Sequence, residues 1–148
     1  MGNLITSIIL FLGGVIAAAS FIIKRRPDAK EMIDKILPYQ GIIGLILLVS
    51  GIWEFLSTIG YIGFMFRYST FWALVVLLAI TVDIVLGFLL GYGLIAQYLL
   101  KGNEEALEKG EMIKARLIKY QTQAGLAAIV LSVLWLMVGL GIVRPWVL

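Results

Sequence analysis

Four apolar runs, at 4–23, 41–65, 71–100 and 124–143, take up most of this 148-residue chain. Each reaches the ~20 residues that a helix needs to cross the hydrocarbon core of a bilayer. In hydrocarbon every backbone donor and acceptor must be satisfied internally, so continuous runs of this length read as helices. Strands of a barrel would alternate apolar with polar residues instead. Composition agrees: 61% of residues are hydrophobic and 14% charged, against about 45–50% apolar and 25% charged in soluble domains. The expectation is a single all-α polytopic membrane domain, with four transmembrane helices forming two hairpins.

Charge sets the orientation. Segment 24–40 carries Lys24, Arg25, Arg26, Lys30 and Lys35, and segment 101–123 carries Lys101, Lys109, Lys114, Arg116 and Lys119. Ten of the twelve basic residues therefore sit in two loops, which the positive-inside rule makes cytoplasmic. Both termini and the 66–70 turn are then outside, as in a bacterial-type inner membrane. Phe64, Phe66, Tyr68, Phe71, Trp72 and Trp146 mark the outer interface; Tyr39, Tyr98 and Tyr120 mark the inner one. The net charge of +3 comes from these loops and points to topology, not nucleic acid. The N-terminal run has no basic region before it, so it reads as a span and not as a signal peptide. "MGNLIT" fits a myristoylation pattern at Gly2, but the charge bias puts Gly2 on the wrong side for it.

The inner segments read as helices. In 28–37, Met32, Ile33, Ile36 and Leu37 share one face, with Asp28, Glu31, Asp34 and Lys35 on the other. Such a helix is expected to lie on the headgroups, or else to dock a cytoplasmic partner. In 103–120, Asn103 is an N-cap candidate, Glu104 and Glu105 follow it, and basic residues come later, an order that complements the helix dipole. Helix is expected from about 103 into the fourth span, with Gly110 as its weak point. The halves also echo one another: "YQGIIGL" at 39–45 and "YQTQAGL" at 120–126 share Tyr-Gln-x-x-x-Gly-Leu, the mark of a parallel repeat about the membrane normal.

Chemistry concentrates in two acids. Glu54 and Asp83 are the only carboxylates outside the inner loops, and no span holds a basic residue to pair with them. A charge at that depth costs at least ~2.5–3.5 kcal/mol, so both should face protein or water. Their midpoint, 68.5, falls in the outer turn, so equal rise on both arms puts them at one depth. Ser50, Ser57, Thr58 and Tyr61 share the Glu54 side of the helix, while Ala79, Gly87 and Gly91 line up with Asp83. The acids and hydroxyls offer oxygen ligands for a proton or a hard cation such as Na⁺ or Ca²⁺. The alternative is hydrogen-bonded packing in an accessory subunit that binds a partner protein through its inner helices. Gly13, Gly14, Ala17 and Ala18 in the first span and Gly125 in the fourth add small-residue stripes suited to helix contact, from which a homo-oligomer is expected.

With no Cys or His, the chain lacks disulfides, imidazole or thiolate metal sites and Ser-His or Cys-His pairs. No Gly-x-Gly-Asp protease pattern surrounds Asp83, so an enzyme is not expected. The mid-membrane acid and "GYGLIAQYLL" are similar to rotary-ATPase proteolipids, but the inner loops are longer, the fourth span has no acid and the regular glycine ladder is missing.

Overall fold

The computed structural model describes residues 4–144, all helix or short connection, with no strand among them. Gly2 and Trp146, named above for acylation and the outer interface, lie outside the described residues. The helices are α1 (Leu4–Ala17), α2 (Ala19–Arg25), α3 (Lys30–Ile36), α4 (Gln40–Ile59), α5 (Ile62–Tyr68), α6 (Thr70–Tyr98), α7 (Glu104–Leu117) and α8 (Gln121–Gly139). Three helices are long and apolar enough to cross a membrane: 27–59, α6 and 104–139. The bent pair α1–α2 makes up to four.

Several boundaries differ from the sequence expectation, for local reasons. The run 4–23 is not one straight helix: it turns by 70° between α1 and α2. The turn falls at Ala18 (φ −94°, ψ 9°), which is fully buried where α1 presses on α8. Without a proline or glycine at 18 the break has no sequence signal. The run 41–65 ends early, at Ile59, and α5 forms a separate short helix before Ser69 caps α6 by accepting from the Trp72 N–H at 3.4 Å. Gly110 does not interrupt the last long helix; the irregularity there is a 3₁₀ turn at Ile118–Tyr120. Asn103 caps α7 as its sequence position suggests, accepting from the Ala106 N–H at 3.0 Å.

The α3 face finds its cover within the chain. Ile33 is buried, and Ile36 and Leu37 pack against the core. Only Met32 of the four apolar residues is left mostly exposed, at 66%. Lys30–Asp34 and Lys35–Glu31 ion pairs run along the solvent side.

Packing follows an exchange of halves. The main partner of α4 is α6, and the main partner of α1 is α8; α1 also touches α4, and α6 touches α8. If α1 corresponds to α6 and α4 to α8, the two main pairings map onto each other. The echoed motif sits at equivalent places, because a 3₁₀ turn at Leu37–Tyr39 or Ile118–Tyr120 precedes α4 or α8 and the glutamine starts each helix. Its glycine makes the close approach in both. A Cβ on Gly44 would run into the backbone of Gly91, and one on Gly125 would lie 2.8 Å from the Gly14 carbonyl oxygen. Gly87 meets the Leu48 backbone, and Gly14 meets Ala128. A core of Leu10, Leu47, Val82, Leu86, Leu90 and Leu131 fills the space between the pairs.

These contacts use the predicted small-residue stripes within one chain. Gly13, Gly14, Ala17, Ala18, Ala79, Gly87, Gly91 and Gly125 are all buried. The surplus of small-residue surface from which an oligomer was expected is therefore taken up inside the chain.

Candidate functional site

Asp83 is held at the α4–α6 crossing. A Cβ on Gly51 would lie 3.0 Å from the Asp83 Cβ, so the acid is pressed against bare helix backbone. Three contacts fix the register: Gly44 with Gly91, Leu48 with Gly87, and Gly51 with Asp83, whose residue numbers sum to 135, 135 and 134. Antiparallel helices in contact keep such a sum nearly constant. Glu54 therefore lies opposite 80–81, and Asp83 sits about three residues, ~4.5 Å, further inward. The two acids are therefore two to three residues apart in depth, less than one turn, because α4 stops at Ile59 and the turn is wider than 66–70.

The two carboxyls have different surroundings. Asp83 is 2% exposed, and its Oδ1 has no hydrogen-bond partner among the described residues. Glu54 is half-buried. From Glu54 the polar positions continue along α4. Spacings of three and four residues put Gly51, Glu54 and Thr58 on one face of α4, and Tyr61 follows just beyond its end. Thr58 is buried, with Oγ1 3.5 Å from the exposed Tyr61 hydroxyl. The face thus steps from the buried acid to the outer end of α4. On the inward side the Gly87–Leu48 and Gly91–Gly44 contacts close the crossing.

The other predicted members do not join the site. Ser50 donates to the Leu47 carbonyl at 3.1 Å within its own helix, and Ser57 is exposed. Trp53 is 71% exposed on the outer surface of α4, while Trp135 packs against the core. No group of three or more acids close enough to hold a metal ion occurs among the described residues.

Two cavities lie elsewhere. One, of about 560 Å³, is at the inner ends of the helices and is lined by Gln40, Gln121 and Lys114 among others. The second is a groove of about 450 Å³ on the outer face of α4 beside Val49, Ser50 and Trp53. Neither is lined by Glu54 or Asp83. The sequence reading missed the first. Its only trace there is the repeated Tyr-Gln pair, whose glutamines both reach this cavity.

No family model, curated protein or solved structure matches this chain.

Proposed function

We propose that the protein is a four-span integral membrane protein of two hairpins, termini outside, that takes up and passes protons at Asp83 through Glu54. The observation that carries this reading is the Asp83 carboxyl, buried opposite Gly51 with an unpartnered Oδ1 and no basic residue in the spans. A buried polar group without a partner costs about 1–3 kcal/mol, and acids inside membranes mark ion and proton paths. The Glu54–Thr58–Tyr61 face supplies the outer approach. Asp83 is the essential acid and Glu54 the relay.

Proteoliposomes containing a pH-sensitive dye test this. Wild-type protein is expected to pass protons under an imposed potential, Asp83→Asn to abolish the flux, and Glu54→Gln to reduce it. Orientation has its own test: single cysteines at 34 and 108 should be labelled from the cytoplasm, and one at 69 from outside. Labelling of 69 and 108 from the same side ends the topology.

A second reading is an accessory subunit that binds a cytoplasmic partner. It is supported by Met112 and Ile113, apolar side chains about half-exposed on α7. Wild-type liposomes that pass no protons, or an Asp83→Asn variant that conducts like wild type, would turn the assignment to this reading.

A further inference from the structure

We infer that the inner cavity binds the headgroup of an anionic phospholipid from the cytoplasmic leaflet. It lies between α4, α6 and the α7–α8 junction, with polar walls from Gln40, Gln121 and Lys114 and apolar walls from Ile42, Leu94 and Ile118. At about 560 Å³ it far exceeds the ~30 Å³ share of one water.

The cation in this wall is placed by an aromatic ring and not by an ion pair. Lys30, Lys35 and Lys109 each pair with a carboxylate four residues away. Lys114 has no ion pair among the described residues; its ammonium rests 4.9 Å from the centre of the Tyr92 ring. That ring is fixed. Tyr92 is 1% exposed, and its hydroxyl donates to the Leu107 carbonyl at 3.2 Å. Gly110 lets α7 lie flat on it, since a Cβ there would come within 2.8 Å of the ring. Lys114 is thus a positive charge held on an aromatic ring and half-buried at a cavity wall, with Glu111 of the same helix also beside the Tyr92 hydroxyl.

The glutamines add neutral donors. Gln40 and Gln121 are the repeated residues of the two halves, and the repeat brings both to one cavity. Their amides suit the phosphate and glycerol oxygens of a headgroup. Tyr39 and Tyr120, next in sequence to them and exposed, set the depth at the membrane interface. The apolar wall favours an amphiphile over a free anion. Basic pockets between spans on the cytoplasmic side are suited to such lipids. The site stands whether or not Asp83 carries protons.

The test uses the full-length protein in a neutral detergent, titrated with phosphatidylglycerol, phosphatidylcholine or inorganic phosphate. Retained lipid is read by native mass spectrometry, and thermal unfolding by circular dichroism. Phosphatidylglycerol is expected to be retained and to raise the midpoint, with phosphatidylcholine and phosphate doing neither. Lys114→Gln should weaken retention roughly five-fold, the worth of one basic contact at an anionic surface. Lys114→Arg should keep it, and Lys30→Gln should leave it unchanged. Equal retention of the two lipids, retention indifferent to Lys114→Gln, or a phosphate effect equal to that of the lipid would each overturn the assignment.

Discussion

The α4–α6 and α1–α8 crossings are built alike, yet each buries a different polar group. Both are closed by the glycine of the repeated motif against a second glycine, Gly44 on Gly91 and Gly125 on Gly14. In the α1–α8 pair the buried polar residue of α8 is Ser132, fully covered, whose hydroxyl donates to the Ile129 carbonyl at 2.7 Å. It is satisfied within its own helix. In the α4–α6 pair the buried residue is Asp83, with a carboxyl oxygen that has no partner. One crossing shows that the helices close without an acid. Asp83 is therefore a cost that packing does not require, which is the ground for the proton site proposed above.

The largest expected effect tests the shared part of this comparison. Gly44→Leu, Gly87→Leu and Gly125→Leu each drive a side chain into helix backbone and should cost more than ~3 kcal/mol in denaturant unfolding in detergent micelles. Gly63→Leu, with open space around it, should be silent. A tolerated Gly87→Leu would mean that the crossing is looser than described. Whether this unfolds the monomer or only dissociates an oligomer is read from the secondary structure that remains.

Asp83→Val probes the difference between the crossings. It replaces an unpartnered carboxyl by an apolar group, and should stabilise the protein by ~1–3 kcal/mol while abolishing proton flux. A gain in stability paired with a loss of function is the expected signature of a functional site. If Asp83→Val destabilises instead, the acid holds the crossing together and the two regions are alike after all. The smallest effect belongs to Ser132→Ala, about 0.6 kcal/mol, the usual worth of such a hydrogen bond in a membrane helix. It should leave flux intact.

The two crossings were unequally legible in the sequence. Long apolar runs and the Ala79–Asp83–Gly87–Gly91 line revealed α6 and its contact face, because a period near four on a continuous helix needs no tertiary knowledge. Depth was less accessible. Counting outward from a turn assumes where the turn is, and the break after Ile59 moved Asp83 two to three residues inward of Glu54. The bend at Ala18 left no trace, since it arises where buried Ala18 meets Gly125 and not from any local breaker. Lys114 looked like one more basic loop residue. Its placement depends on the Tyr92 ring, 22 positions earlier, and α7 must fold back on α6 before they meet. The apolar face of α3 was readable as a face, but not the fact that the chain's own core would cover it.

The exchanged pairing also has a consequence for synthesis. α1 takes its main contact from α8, and Gly14 and Gly125 are 111 residues apart. At about 5–20 residues per second, the ribosome delivers that partner roughly 6–22 s after Gly14 itself. Until then α4 already has its partner α6, but α1 has only its weaker contacts with α4 and α6, and Gly14 lacks its cover. A ribosome stalled before residue 121 should therefore leave a nascent chain whose first helices are inserted but protease-sensitive at their inner ends. Protection would come only once the last helix is released into the membrane.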